Sequence, residues 1–288
     1  MTRHSNQAAD AVIAAQSIQS IEAPVQRWSR ARWLAWLGWP VLIALLIWAI
    51  SPDQQASLFT AINLQARALP DSFWSMLTLF GDTAVLLVGL SPLLLWRRQA
   101  LVAAIAAIPA GGLMSVSVKR LADAPRPAAV LDIAQFHLIG PTLNLHSFPS
   151  GHTITAFAAA AAVLAVILPG KKPIRMALLA AVIIALAAAV GLSRIAVGAH
   201  WPHDVLAGAL FGWLAGLSGA WLTRQFPVLW RSQRLATGLA VVLFAIGVWV
   251  LLRRVDYPLG VAAVWLVSSS CAITMIALAR RRIAGELA

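Results

Sequence analysis

Residues 174–222 decide the fold: they read IRMALLAAVIIALAAAVGL, then SRIAVGAHWPHD, then VLAGALFGWLAGLSGAWL. The two outer runs are apolar, and each is long enough for a helix across a hydrocarbon core of about 30 Å, which takes roughly 17–25 residues. The string between them, residues 193–204, holds an arginine, two histidines and an aspartate. The pattern predicts two membrane helices joined by a polar turn at the water-facing edge of the bilayer.

The same apolar pattern fills most of the chain. Of its 288 residues, 60% are hydrophobic and 11% are charged, and the mean hydropathy is +0.81. A soluble domain of this length needs more surface charge. We therefore predict an all-α, polytopic transmembrane helical bundle with a six-helix core and a C-terminal helical hairpin, about eight spans in all. The predicted spans are 33–50, 73–96, 99–118, 153–169, 174–192, 203–222, 236–252 and 258–279.

This organisation divides the chain into three parts. Residues 1–32 have neither a basic start nor a clean apolar core, and are predicted to be a cytoplasmic tail instead of a cleaved signal peptide. Residues 33–234 are predicted to form the membrane domain, with a motif-bearing core at about 73–222, and residues 235–288 a two-helix membrane extension. The single cysteine, Cys271, lies in the last span and is expected to pack as a small apolar residue.

The basic residues predict an orientation. When the loops are assigned alternately to the two sides with the N-terminus inside, most of the 22 Lys and Arg fall on the cytoplasmic side. Both termini are therefore predicted to be cytoplasmic and the polar strings extracytoplasmic, although Arg253 and Arg254 fit this topology poorly. Attraction to anionic lipid headgroups explains the net charge of +12, so no nucleic-acid partner is expected.

Two further polar strings interrupt the apolar runs: KRLADAPRP (119–127) and PSGH (149–152). In the first, Lys119 and Arg126 stand at either end of a short loop that Pro125 and Pro127 hold out of helix. Two cations held in this way suit an anionic ligand such as phosphate. The alternative is a juxtamembrane basic loop with Asp123 as its counter-ion.

The second of these strings stands just before an apolar run. Ser150 is predicted to cap a helix whose free backbone N–H groups face the polar strings. Gly151 lets an anion approach the backbone closely, and His152 in the first turn can gain or lose a proton near neutral pH. A capping role alone is the alternative.

The string at 193–204 is chemically the most specific. Arg194 offers a fork of donors suited to phosphate oxygens. His200 and Asp204 are four residues apart, a spacing that puts two side chains on one helical face, and Pro202 requires that this helix is just beginning. The carboxylate would orient one imidazole nitrogen and leave the other free to attack. A buried structural pair is the alternative.

Together the strings match Lys-x6-Arg-Pro, Pro-Ser-Gly-His and Ser-Arg-x5-His-x3-Asp, with every position present and in that order. The chain therefore resembles the type 2 phosphatidic acid phosphatase superfamily, also called lipid phosphate phosphatases. The resemblance covers the segment from about 73 to 222 and leaves the N-terminal tail and the C-terminal hairpin outside it.

The resemblance implies a reaction. His200 would attack the phosphorus and carry a phosphoryl group, Asp204 would orient it, and His152 would protonate the leaving oxygen, after which water would cleave the phosphohistidine. The groups expected to hold the phosphate and stabilise the transition state are Lys119, Arg126, Ser150, Gly151 and Arg194. Ser193 and Pro127 are expected to support the pocket.

A metal-independent hydrolase without a cofactor is expected. The chain has only 10 acidic residues, and no pair of them near the site has the spacing of a carboxylate cluster. The histidines lack a recognised zinc pattern. His137, His146 and His203 are interpreted as ordinary loop or headgroup-facing histidines, and Asp82, inside a predicted span, must face protein or water.

The substrate is expected to be a membrane lipid phosphate, because a nucleophile at the helix ends meets a headgroup whose tail stays among the helices. The resemblance implies candidates such as undecaprenyl diphosphate and phospholipid phosphates, in a bacterial-type plasma (inner) membrane. Two alternatives stay open. One is a lipid phosphotransferase that passes the phosphoryl group to an acceptor lipid, and the other, from a different class, is a lipid transporter or flippase.

Overall fold

The computed structural model describes residues 51–169 and 172–283, together with residues 38, 42–44 and 47. All regular structure in these ranges is helical, which confirms the predicted all-α class. The helices are α1 (Pro52–Gln65), α2 (Asp71–Leu79), α3 (Thr83–Gly89), α4 (Leu93–Trp96), α5 (Arg98–Ala106), α6 (Ile108–Ala122), α7 (Pro127–Val130), α8 (Gly151–Ile167), α9 (Pro173–Ala196), α10 (Pro202–Gln225), α11 (Val228–Arg231), α12 (Gln233–Leu252) and α13 (Val261–Ile283). The predicted tail and most of the first predicted span lie outside the described residues.

Five helical segments of the described chain are long and apolar enough to cross a membrane, or six if α2 and α3 together count as one span. They are Arg98–Val130, Pro173–Ala196, Pro202–Gln225, Gln233–Leu252 and Pro258–Arg281. The polytopic membrane bundle predicted from composition is thus confirmed. The shorter α8 is also apolar and lies at the centre of the bundle, where most of its side chains are buried.

The predicted span at 73–96 is not one helix. It divides into α2 and α3, which are bent by 81° relative to each other, followed by the short α4. The bend falls at Gly81 and Asp82, and the Asp82 carboxylate caps α3 by accepting from the backbone N–H groups of Ala84 (2.9 Å) and Val85 (3.1 Å). A single predicted helix was wrong here because a side-chain cap starts a new helix inside an apolar run.

The close packing of α8 on α10 brings two of the polar strings together. Along α10, a row of glycines lies directly against the α8 backbone: a Cβ atom at Gly208 would be 2.7 Å from the Ser150 carbonyl oxygen, and one at Gly212 or Gly216 would collide with carbonyl oxygens further along α8. Small residues allow such close approach between membrane helices. The N-termini of α8 and α10 therefore lie side by side.

Helix α1 was not predicted, and it carries a fully buried asparagine. The Asn63 side-chain nitrogen donates to the carbonyl oxygens of His137 (2.8 Å), Ile195 (3.0 Å) and Ala196 (3.0 Å), and its oxygen accepts from the backbone N–H of His137 (2.6 Å). One side chain thus joins α1, the loop after α7 and the end of α9. This junction holds the loop that precedes α8 in place.

The C-terminal hairpin of α12 and α13 shares a hydrophobic core with α2, α3 and α5. Leu243, Val250 and Val264 of the hairpin are buried in the same cluster as Val85 and Leu101. Cys271 of α13 is 1% exposed within this cluster, as expected for a small apolar residue.

Candidate active site

The imidazole of His200 lies at the centre of the converging polar strings. It sits in the turn between α9 and α10 and is 2% exposed. Its Nδ1 is 3.2 Å from Oδ2 of Asp204, and its Nε2 is 3.2 Å from Nη1 of Arg126. A carboxylate only accepts and a guanidinium only donates. These contacts therefore assign the hydrogen to Nδ1 and leave Nε2 unprotonated, with its lone pair accepting from Arg126.

The carboxylate of Asp204 holds His200 in this orientation. Its Oδ2 also accepts from the Ser147 hydroxyl (2.5 Å) and from the backbone N–H of Trp201 (2.8 Å). Helix α10 begins at Pro202, as predicted, but His200 lies before it. The pair therefore does not share one helical face. It forms because the Asp204 side chain turns back across the first turn of α10.

Arg126 is fixed by backbone oxygens. It is 8% exposed, and it donates from Nε to the Leu145 carbonyl oxygen (2.8 Å) and from Nη1 to the Ala199 carbonyl oxygen (2.9 Å). The buried Pro127 at the start of α7 follows it directly. The guanidinium is thus held against Nε2 of His200, the atom expected to attack phosphorus.

Arg194 in the last turn of α9 is 2% exposed. Its Nη1 donates to the hydroxyls of Thr78 (2.5 Å) and Tyr257 (2.9 Å). Its buried Nε has no hydrogen-bond partner among the described residues. The neighbouring Ser193 is fully buried and donates to the Val190 carbonyl oxygen (2.6 Å), so it stabilises the end of α9.

The string PSGH forms the start of α8. Ser150 occupies the N-cap position, but its hydroxyl makes no capping bond, and the predicted side-chain cap is wrong. The Ser150 hydroxyl instead accepts from the Thr153 hydroxyl (2.9 Å), and its backbone N–H donates to the Asp204 carbonyl oxygen (2.9 Å). In the described part of the chain, the backbone N–H groups of Gly151 and His152 have no acceptor. They form a cradle of donors at a helix N-terminus.

Lys119 completes the group of cations. It lies in the last turn of α6, half-buried, and makes no hydrogen bond to a described residue.

Burial, together with the positive charges of Arg194, Arg126 and Lys119, holds the pKa of His200 well below its ordinary value of 6.5. The imidazole is therefore neutral near pH 7, the form in which Nε2 can act as a nucleophile.

The three other histidines among the described residues lie in ordinary surroundings. The Nε2 of His137 is 2.8 Å from Oδ1 of Asp71, and Nδ1 of the exposed His146 is 3.3 Å from Oδ1 of Asp123. The carboxylate proposed as counter-ion for the basic loop thus pairs with a histidine. The backbone N–H of His203 donates to the Gln55 side chain, and the imidazole of His203 is partly buried.

The bend between α2 and α3 lies against His152. A Cβ atom at Gly81 would be 2.5 Å from the Cβ of His152. Next to it, Oδ2 of Asp82 is 2.6 Å from Nη2 of Arg253. The arginine that fits the charge-based topology poorly thus has a partner at the active-site end of the bundle. No spacing in the sequence indicated these contacts.

A groove leads from the site into the apolar part of the bundle. It is a cavity of about 310 Å³ between α3, α6 and α8. His152, Asp82 and Ser115 line its polar end, and Gly112 and Ala159 lie along its apolar walls. From Gly151 to Ala159 it follows α8 for about 12 Å, at 1.5 Å of rise per residue.

A protein-family model matches the segment of the chain that carries these residues. Residues 99–231 match the family model of the PAP2 superfamily. This segment contains all three polar strings and ends before α12.

Individual relatives match shorter parts of the chain. It is 39% identical over 79 residues to phosphatidylglycerophosphatase B of Escherichia coli strain K12, which covers 27% of this chain and 30% of that protein, and it matches the Shigella flexneri protein equally well. The chain thus spans about 30% of the length of these relatives.

Two solved structures are similar. Aquifex aeolicus LpxE is 32% identical, with a TM-score of 0.47, and covers 57% of this chain and 92% of that one. The first transmembrane PAP2 type phosphatidylglycerolphosphate phosphatase from Bacillus subtilis is 19% identical, with a TM-score of 0.49, and covers 66% of this chain and 96% of that one.

Proposed function

Because the chain belongs to the PAP2 superfamily, we propose that it is a membrane phosphatase that hydrolyses lipid phosphates through a phosphohistidine at His200. One observation carries the proposal. The imidazole of His200 is held between the carboxylate of Asp204 at Nδ1 and the guanidinium of Arg126 at Nε2. This arrangement orients a nucleophile toward the place where an anion would bind.

In the first half-reaction, the lone pair of His200 Nε2 attacks phosphorus. The bond between phosphorus and the lipid oxygen breaks, and the leaving oxygen takes a proton from His152. Asp204 accepts the Nδ1 hydrogen bond throughout and stabilises the positive charge that develops on the imidazole. The products are the dephosphorylated lipid and phosphohistidine.

In the second half-reaction, water attacks the phosphohistidine. His152, now neutral, takes a proton from this water, the N–P bond breaks, and inorganic phosphate leaves with His200 restored. Burial and the positive charges of Arg194, Lys119 and Arg126 lower the pKa of His152, whereas a bound phosphate dianion favours its protonation.

The phosphoryl oxygens are bound by cations and backbone donors. Lys119, the Nε–Nη2 edge of Arg194 and the guanidinium of Arg126 supply charge, and the N–H groups at the start of α8 supply neutral donors. Such preorganised donors stabilise the charge of a pentavalent transition state. We propose that they do so without a metal ion.

The groove next to His152 supports a lipid substrate. Its polar end meets the phosphate site, and its apolar walls suit the start of a hydrocarbon tail. Undecaprenyl diphosphate and phospholipid phosphates, among them the phosphatidylglycerol phosphate of the Bacillus subtilis protein's name, are the candidate substrates. Any of these places the scissile bond at the edge of the bilayer.

We place the protein in the bacterial inner membrane, with both termini cytoplasmic and the active site on the extracytoplasmic side. The distribution of the 22 Lys and Arg supports this orientation. The ion pair between Arg253 and Asp82 supports it further, because it gives an arginine on the less basic side a carboxylate partner.

Phosphate release tests the proposed reaction. The detergent-purified full chain is supplied with undecaprenyl diphosphate or a phospholipid phosphate in EDTA, beside His200→Ala. Release that persists in EDTA and vanishes in the variant is expected. Loss of release in EDTA would refute metal independence, and equal release by His200→Ala would refute the nucleophile. Transfer of phosphate to a second lipid would identify a phosphotransferase, and lipid movement without phosphate release a transporter.

The groove is tested by filling it. A Cβ atom at Gly112 would meet nothing within 4 Å, so Gly112→Leu adds a side chain in the groove without a backbone clash at Cβ. We expect it to raise KM for a long-chain lipid phosphate and to leave hydrolysis of the water-soluble p-nitrophenyl phosphate unchanged. Gly238→Leu is the matched control, because Gly238 of α12 is equally open and lies away from the groove. An equal effect on both substrates would contradict the lipid assignment.

A further inference from the structure

The loop between α12 and α13 lies outside the segment that matches the family, yet it meets the phosphate site. Its Tyr257 is 3% exposed and accepts from Nη1 of Arg194 at 2.9 Å. The guanidinium carbon of Arg194 is 5.5 Å from the centre of the tyrosine ring. The C-terminal hairpin thus places a side chain directly on one of the expected phosphate-binding cations.

This contact uses one side of the guanidinium and leaves the other free. Nη1 donates to both Thr78 and Tyr257, whereas Nε is buried and has no partner among the described residues. Nε and Nη2 form the edge with which arginine binds two oxygens of one phosphate. The two hydroxyls therefore hold Arg194 with its phosphate-binding edge unoccupied.

The loop is anchored on three sides. Arg253 pairs with Asp82 beside the bend between α2 and α3. The ring of Tyr257 packs on Gly140, where a Cβ atom would be 2.6 Å from the ring, and Gly260 packs on the α2 backbone at Ser75. These contacts leave the tyrosine hydroxyl little freedom to move away from Arg194.

We propose that this loop is a working part of the active site, in which Tyr257 and Thr78 are positioning residues for Arg194. The hydroxyls act through the arginine: they fix the plane of the guanidinium so that its Nε–Nη2 edge meets the phosphoryl group. The proposal rests on the proposed function in that it takes the ligand of Arg194 to be a phosphoryl group. It assigns the hairpin to catalysis as well as to packing.

The test removes only the hydroxyl. Tyr257→Phe keeps the ring on Gly140 and deletes the contact with Arg194. A hydrogen bond to a charged group of this kind suggests a loss of about 10- to 100-fold in kcat/KM and in the affinity for orthovanadate, a phosphate analogue. Thr78→Val is expected to act in the same direction. The combined loss in the double variant should be less than the product of the two, because both hydroxyls act on one group.

Ser268→Ala is the matched control, since it removes another buried hydroxyl of the hairpin, one that donates to the Gly247 carbonyl oxygen away from Arg194. It should leave both vanadate affinity and kcat/KM unchanged. Similar Tm values for the two variants in detergent would show that any loss in Tyr257→Phe comes from positioning. Wild-type vanadate affinity and kcat/KM in Tyr257→Phe would overturn the proposal.

A second readout does not need turnover. Tyr257 is the only tyrosine of the chain, so the protein labelled with 3-fluorotyrosine gives one fluorine resonance. Titration with orthovanadate should shift it, with the same midpoint as inhibition. An unmoved resonance at saturating vanadate would overturn the positioning role. If the wild type released no phosphate but the resonance still shifted, the proposed reaction would fail while the contact between hairpin and oxyanion site stood.

Discussion

Replacing Asp204 by asparagine tests the orientation of His200 with almost no change in volume. Oδ2 of Asp204 accepts three hydrogen bonds, from His200 Nδ1 at 3.2 Å, the Ser147 hydroxyl at 2.5 Å and the Trp201 N–H at 2.8 Å. Both His200 and Asp204 are 2% exposed, so water cannot compensate for a change in this acceptor. An amide supplies one oxygen for these donors and lacks the negative charge.

The magnitude follows from these contacts. A hydrogen bond to a charged group contributes about 1.5–3 kcal/mol, and about 1.36 kcal/mol corresponds to a tenfold change in rate. Loss of orientation alone therefore lowers kcat about 10- to 150-fold. If the amide also turns His200 to the tautomer that carries its hydrogen on Nε2, the nucleophilic lone pair disappears, and the loss approaches the roughly 10⁴-fold seen for the same substitution in a Ser-His-Asp triad.

The assay is single-turnover phosphate release at saturating enzyme, which separates chemistry from binding and product release. The single-turnover rate of Asp204→Asn should be about 10²- to 10⁴-fold lower than that of the wild type. Ser147→Ala leaves the contact between His200 and Asp204 in place, and its rate should be lower by about tenfold or less. Thermal unfolding in detergent checks that both variants are folded. Wild-type rates in a folded Asp204→Asn would refute the orienting role.

Three further predictions concern the surroundings of the nucleophile. The low pKa of His200 should place the acid limb of the pH profile of kcat/KM below pH 6.5, since attack needs the neutral imidazole. Lys119→Met should move that limb to higher pH, because it removes a positive charge that opposes protonation of His200. Gly81→Ala should lower kcat in phosphate release, because its Cβ atom displaces His152. Gly212→Ala should lower Tm in detergent by several degrees, because its Cβ atom meets a carbonyl oxygen of α8.

Each of these predictions has its own control. For the pH profile, wild type and variant are assayed with the same substrate, so the effect of substrate ionisation cancels when the positions of their acid limbs are compared. An unmoved limb would contradict the electrostatic account. For helix packing, Gly238→Ala meets nothing within 4 Å and should hold or raise Tm through better helix propensity. For Gly81, wild-type kcat in a stable variant would show that His152 is not held by this contact.

The residues of the candidate site could be singled out from the sequence because their chemistry is unusual for their surroundings. Cations and histidines at the ends of apolar runs are costly unless they have a role, so His200, Arg126 and Arg194 stood out before any fold was known. The structure brings them together with Asp204. It also shows that the His200–Asp204 contact forms across a helix start, which residue spacing alone does not distinguish from a shared helical face.

The supporting residues could not be predicted in the same way. Asn63, Ser147 and Thr78 are single polar residues whose partners are 57 to 133 positions away in the chain. Tyr257 lies in a predicted hairpin with no motif of its own. Contacts of this kind depend on how helices pack, and a single sequence carries no local signal for them.

The broken helix shows a second limit. Hydropathy averages over a window, so the apolar run at 73–96 predicted one span. The break depends on the carboxylate of Asp82, which caps α3 and pairs with Arg253. A charged residue in an apolar run indicates that its side chain needs a polar partner. The partner of Asp82 is Arg253, which lies in the last fifth of the chain.

The most direct test of the central claim is to trap the phosphoryl group on the enzyme. A lipid phosphate labelled with ³²P is mixed with the full chain, the reaction is quenched in alkali, where phosphohistidine is stable, and the labelled peptide is mapped. The account predicts acid-labile label on His200 within the first turnover, and none in His200→Ala. Label on another residue, or phosphate release with no label at any quench time, would contradict it.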